Sequence, residues 1–221
     1  MRSELFANLT LRSVEIAFGT KKILESVNLE LNPKTLLLLS AANGTGKSTL
    51  LRCIAGIYGY SGIITINGHS AGSIAAKKFL TYVPDEPALY EDLTLQEHAV
   101  FVARIYGIQE EFILAWLERF DLLKNLKEFP ITHSRGMRQK LGLALALGTG
   151  LPIILLDEPY NGLDEKAQSL LTQGLIAHVS GGGIVVLSAH QPEVRKELSE
   201  FEFTQIFTIQ ENQLERLQEN Q

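Results

Sequence analysis

The sequence predicts an α/β fold with a mainly parallel sheet, an antiparallel β layer and a smaller helical subdomain. Three observations carry this. Short, continuously apolar runs ("TLLLLSA", "PIILLD", "GIVVLSA") alternate with helical patterns, as strands buried between helices do. Residues 9 to 17 and 23 to 31 instead alternate apolar and polar, as half-buried antiparallel strands do. From about 88 to 132 the apolar spacing is helical.

The elements follow in order. The turn "FGTKK" joins the two alternating strands, and "TLLLLSA" is a central strand. A helix should begin near Gly46 and end by Gly56. "GIITING" reads as a short strand closed by Asn67-Gly68, and "KKFLTYVPD" as another, stopped by Pro84. The helical stretch contains "LQEHAVFVARIYG" and "EEFILAWLERFDLL", broken by Gly107. Then come a helix (135 to 148), the strand "PIILLD", a helix (164 to 179), the strand "GIVVLSA", a short helix after Pro192 and the strand "FTQIFTIQ". The polar tail "ENQLERLQENQ" reads as a small strand or helix, frayed at its end.

At 221 residues the chain has room for one large domain or two small ones, and we expect one, 1–221. It is 45% apolar and 20% charged, which suits a core-forming protein. A net charge of −5 without any Lys/Arg block argues against nucleic acid as a partner. The single cysteine, Cys53, excludes an internal disulfide and sits in an apolar helical run, as a buried thiol does. The start, "MRSELFANLTLRS", has no long apolar core, so no signal peptide is expected. "LGLALALGTGLPIILL" is interrupted by Gly, Thr and Pro and is short for a bilayer. It reads as a buried helix, a turn and a strand, in a cytoplasmic protein with no membrane span of its own.

The chemistry begins at "LLLLSAANGTGKSTLL", residues 36 to 51. A buried strand, a small loop and a helix are the setting of a phosphate-binding loop, G-x-x-x-x-G-K-[ST]. Gly44 and Gly46 let the backbone of Asn43 to Thr49 curl its N–H groups toward phosphate oxygens. Thr45 and Thr49 belong to that cradle. Lys47 supplies a charge for the β- and γ-phosphates and Ser48 a hydroxyl for Mg²⁺. The first Gly of the pattern is replaced by Ala41, which is tolerated if its φ is negative. The core is therefore of P-loop NTPase type.

Two further strand ends should converge there. "IILLDE" ends in Asp157, placed to hold Mg²⁺ through water, and Glu158, placed to polarise an attacking water. "VVLSAHQ" ends in His190, which can hydrogen-bond a γ-phosphate. His69, His98 and His178 have no ligand spacing for zinc.

Over essentially its whole length the chain resembles the ATP-binding cassette (ABC) family, specifically the separate ATPase subunits of transporters. The residues that carry this beyond the phosphate loop are in "HSRGMRQKLGLALAL". Ser134 and Gly136 match the family's L-S-G-G-Q signature, whereas His133, Arg135 and Met137 depart. The stretch looks like the variant of bacterial exporter-type and multidrug-type ATPases. The resemblance implies ATP and Mg²⁺ as cofactors, and integral-membrane permease subunits as partners. It also implies a second ABC ATPase subunit, in a head-to-tail homodimer or heterodimer. Ser134 and Gly136 would then bind ATP held by the other subunit. Arg135 would add charge to the phosphate or turn outward. Asp164, in "NGLDEKA", aligns with the loop that contacts the partner subunit, and Phe18 with the aromatic that stacks on adenine. Asp85, in "YVPDEPALYEDLT", stands where the family has a Gln that reaches Mg²⁺ and water. A carboxylate there can coordinate Mg²⁺ directly or through water, but cannot donate a hydrogen bond when ionised. "PALYEDLT" would lie where a permease docks. The implied activity is ATP hydrolysis driving export from the inner face of the plasma membrane. The alternatives are a soluble, non-transport ATPase of the same family and a regulatory subunit with weak turnover.

Overall fold

The computed structural model describes residues 7–217. Residues 1–6 of the stretch read for a signal, and the frayed end expected at 218–221, lie outside them. In chain order the elements are β1 (Leu9–Phe18), β2 (Lys21–Leu31), β3 (Thr35–Leu39), α1 (Lys47–Ile54), β4 (Ser61–Ile66), β5 (His69–Ser70), α2 (Ile74–Lys77) and β6 (Leu80–Val83). Next come α3 (Leu95–Tyr106), α4 (Glu111–Arg119), the 3₁₀ turns Leu123–Asn125 and Pro130–Thr132, and α5 (Arg135–Thr149). The last are β7 (Ile153–Asp157), α6 (Glu165–Ser180), β8 (Ile184–Ser188), α7 (Pro192–Ser199), β9 (Thr204–Gln210) and β10 (Gln213–Arg216).

The strands form two sheets. One has the order β10-β9-β3-β8-β7-β6 and is parallel except for β10 at its edge. The other is antiparallel, β2-β1-β4-β5. Side chains alternate across a strand, so each parallel strand feeds two cores. Leu37, Leu39, Leu155 and Val186 pack with α1 and the antiparallel sheet. Leu36, Leu38, Ile154, Leu156, Val185 and Leu187 pack with side chains from α3 to α7. Burial on both faces is why these strands read as unbroken apolar runs.

The alternating segments form the β1–β2 hairpin, which runs longer than predicted, to Phe18 and from Lys21. Its register shifts where Ser13 (φ 46°) and Ser26 (φ 48°) leave β geometry, and Asn28 Oδ1 accepts the Ser13 N–H at 2.9 Å. β5 and α2 were not predicted. They have two and four residues, too few to show a period. Part of the tail is the strand β10, paired with β9.

In the helical stretch, α3 opens on a reciprocal cap between Thr94 and Glu97 and closes at Gly107 (φ 63°). α4 then lies close on α5: a Cβ at Gly148 would come within 2.6 Å of Ile113. Arg138 of α5 makes a two-pronged bond to Glu91 (2.6 and 3.0 Å), tying the 88–94 segment to the same helix. The buried His98 bridges its neighbours. Its Nδ1 bonds the Thr94 carbonyl at 2.8 Å and its Nε2 accepts the Tyr90 N–H at 3.1 Å. That bridge ties the first turn of α3 to the 88–94 segment. "LGLALALGTGLPIILL" is α5, a turn and β7, and no helix among the described residues is long and apolar enough to cross a membrane.

At the far end of the sheet, His178 of α6 packs over Gly183 and its Nε2 lies 3.2 Å from the Pro152 carbonyl. Burial lowers the His178 pKa from the usual 6.5, and the carbonyl bond opposes that only in part. The folded pKa lies below the unfolded one, so the unfolded chain binds the extra proton first. Stability is full above about pH 6.5 and is lost as pH falls below it toward the folded pKa. Urea midpoints measured from pH 7.5 to 5 should fall for the native chain, and His178→Gln should flatten that slope.

Candidate functional site

The register of three parallel strands builds the site. Leu39 and Asp157 both pair with Ser188, so β3, β7 and β8 end side by side. A cleft of about 370 Å³ opens at these ends. Its walls come from the loop after β3 (Asn43, Gly44, Gly46), the first turn of α1 (Lys47, Ser48, Thr49) and Ile23 of β2. Asp85, Glu158, Asn161 and His190 complete it.

The loop turns through Gly44 (φ 80°) and Gly46 (φ 113°). At Gly46 a Cβ would also strike the Ile23 side chain at 2.7 Å, so this position admits only glycine. Ala41 is not among the residues of positive φ, so the missing first glycine imposes no left-handed strain. Its carbonyl accepts from Lys47 Nζ at 2.7 Å, and the Ala42 carbonyl accepts from Lys47 Nζ (3.2 Å) and Thr45 Oγ1 (2.9 Å). No side chain caps α1 and its first turn holds no acid, so its dipole and N–H groups face the cleft unopposed.

Opposite the loop, Asp157 is 1% exposed. Its Oδ1 accepts from Ser48 Oγ (2.9 Å) and Ser188 Oγ (2.7 Å). Ser188 Oγ in turn accepts the Glu158 N–H at 2.9 Å. Glu158 has φ 48°, a left-handed conformation that costs roughly 1–2 kcal/mol for a residue with a Cβ. The turn is held by Ser188 and by the Asn161 N–H, which donates to the Glu158 carbonyl at 3.1 Å. The twist aims the carboxylate into the cleft. Its Oε2 lies 2.7 Å from His190 Nδ1. Among the described residues its buried Oε1 has no hydrogen-bond partner, and it sits 3.7 Å from Lys47 Nζ, an ionic contact too long for a hydrogen bond.

Asp85 stands on the opposite lip. It accepts from Arg135 Nη2 at 3.1 Å on both oxygens and from Asn161 Nδ2 at 3.0 Å. Arg135 thus points back at its own chain. Ser134 caps α5 by accepting the Met137 N–H at 3.3 Å. Gly136 abuts the segment after β7, where an added Cβ would lie 2.4 Å from the Gly162 carbonyl oxygen. Neither Ser134 nor Gly136 is among the residues lining the cleft. Asp164 caps α6 through the Ala167 N–H at 2.9 Å, and its bond to Lys140 holds its carboxyl below the usual range. Phe18, 51% exposed at the hairpin tip, sets its ring edge-on to Tyr58 at 5.6 Å and does not line the cleft.

So the loop residues, Lys47, Ser48, Asp85, Asp157, Glu158 and His190 come together, while Phe18, Ser134, Gly136 and Asp164 lie outside the cleft. Sequence reasoning missed Ser188, Asn161 and Gln191. Ser188 carried the same signal as His190, a polar residue ending an apolar strand. Ser188→Ala leaves a buried Asp157 oxygen and the Glu158 N–H each short of a partner. It should cost about 1–3 kcal/mol in urea unfolding and lower kcat more than it raises KM for ATP.

A family model described as ABC transporter matches residues 24–161. The chain is 32% identical over 189 residues to the ABC-type transporter ATP-binding protein EcsA of Bacillus subtilis (strain 168), covering 82% of this chain and 76% of that protein. It is 35% identical over 184 residues to the cytochrome c biogenesis ATP-binding export protein CcmA of Paracoccus denitrificans (strain Pd 1222), covering 82% of each. A solved structure titled as the ATP binding subunit of an ABC transporter superposes with a TM-score of 0.86 at 27% identity, over 95% of this chain and 90% of that one. With the strand-end cleft, these likenesses place the chain in the ABC transporter ATP-binding family, whose members are ATPases that drive transport.

Proposed function

We propose that the chain, as a single cassette with a helical lobe at about 88–132, hydrolyses ATP for an export system, acting on integral-membrane permease subunits from the cytoplasmic face. The observation that carries this is the strand-end junction of Ser48, Asp157, Ser188, Glu158 and His190 facing the phosphate loop. The export direction rests on the signature variant and on relatives named for export, such as the P. denitrificans protein.

Asn43 to Thr49 cradle the triphosphate through backbone N–H groups, and Lys47 turns its ammonium from the loop carbonyls to the β- and γ-phosphates. Ser48 and Asp157 offer two hard oxygens 2.9 Å apart, which suits Mg²⁺. Among the described residues no group of three or more His, Cys, Asp or Glu could hold a metal alone. The remaining ligands would be phosphate oxygens and water, the usual arrangement for Mg²⁺. When bound, the ion neutralises charge developing on the transferred phosphoryl group. Asp85 could reach that ion only by giving up Arg135 and Asn161.

Glu158 accepts a proton from the attacking water, its unpartnered Oε1 being the available acceptor. His190 holds Oε2 through Nδ1–H, which orients the carboxylate. Nε2, the other ring nitrogen, is left to hydrogen-bond the γ-phosphate. A second copy or a related subunit closes the site: Ser134 and the N–H groups at Gly136 bind its γ-phosphate, and Asp164 meets its surface. Phe18 stacks on adenine. The exposed Tyr90 of the 88–94 segment, with Phe101 and Ile105 of α3, suits permease docking.

Glu158→Gln should lower kcat at least about 100-fold and accumulate an ATP-dependent dimer in size-exclusion chromatography. Turnover near the native rate would remove Glu158 as the base.

A further inference from the structure

We propose that Arg135 is a positioning residue that ties the first turn of α5 to the nucleotide cleft through Asp85. Its Nη2 donates to both Asp85 oxygens at 3.1 Å, across a separation of 50 residues. Asp85 lines the cleft and also accepts from Asn161 Nδ2 at 3.0 Å. Asn161 bonds onward in two directions. Its N–H donates to the Glu158 carbonyl, and its Oδ1 accepts from Gln191 Nε2 at 2.8 Å, beside His190. A run of side chains therefore leads from the first residue of α5 to both sides of the Glu158–His190 pair.

Packing reinforces the tie. Gly136 is close enough to Gly162 that no side chain fits between them, so the start of α5 cannot shift independently of the segment carrying Asn161. The same geometry assigns the Asp85 carboxylate to Arg135 and Asn161, with three hydrogen bonds from two donor nitrogens on its two oxygens, rather than to a metal ion.

The inference rests on the reading that Ser134 and Gly136 act on ATP held by a second copy. On that reading the charge state of a subunit's own cleft, felt at Asp85, sets how the first turn of α5 is presented to the partner. The two nucleotide sites of a dimer are then coupled through an ion pair inside each chain. The pair is partly exposed (Arg135 58%, Asp85 40%), so the coupling should be modest, up to about fivefold, and screened by salt.

The test is a kinetic double-mutant cycle on the full chain. Steady-state ATPase is measured for Asp85→Asn, Arg135→Gln and the double variant, at low and high salt and over a Mg²⁺ titration. Melting temperatures check that each variant folds. Each single variant should lower kcat about twofold to fivefold. The double variant should be no slower than the slower single one, and the coupling should shrink at high salt. Losses that multiply in the double variant would overturn the proposal. So would an Asp85→Asn chain that needs more Mg²⁺ while Arg135→Gln turns over at the native rate. Ser134→Ala separates the two levels. If it leaves kcat unchanged, the reading of the α5 terminus as acting across subunits fails; if it slows turnover and the cycle is additive, only the Arg135 tie fails.

Discussion

The buried carboxylate of Asp157 is the constraint around which the rest of the molecule is arranged. A carboxyl group at 1% exposure is costly to bury unless it is hydrogen-bonded. Here two hydroxyls satisfy Oδ1, one from α1 and one from the end of β8. Those bonds form only if β3, β8 and β7 keep their parallel register, because α1 follows β3 and Ser188 ends β8. The strained backbone of Glu158 depends on the same hydroxyl. Sheet register, the aim of Glu158 and the placement of Ser48 are one problem with one solution.

The two sides of the cleft are held by different kinds of contact. The strand ends are embedded in two apolar cores and have little freedom. The α5 side is joined to the cleft through one exposed ion pair, Arg135 with Asp85, of a kind that contributes little. The two sides of the cleft are therefore unequally held, loosely on the α5 side and firmly beneath the phosphate loop.

Much of the architecture was legible in the residues. The strands buried on both faces announced themselves as apolar runs, and the β1–β2 hairpin as alternation, because burial imposes those patterns directly. β5 and α2 were not, being held by pairing and a Ser73 cap rather than by a periodic face. In the cleft, the phosphate loop, Asp157, Glu158 and His190 could be read from strand ends. Ser188 could have been found by the same rule. Asn161 and the Arg135–Asp85 pair could not, since contacts between residues distant in sequence leave no local trace. Asp85 and Arg135, two departures from the family pattern, are bonded to each other. Ala41 also lost its significance, since its backbone needs nothing that glycine alone provides and its carbonyl still serves Lys47.

We propose that these strand ends and this loop form a working nucleotide site despite Ala41. Calorimetric titration of the chain with MgATP tests it most directly. A dissociation constant in the micromolar-to-millimolar range is the predicted result. No detectable heat of binding at millimolar MgATP, from a chain shown to be folded, would contradict it.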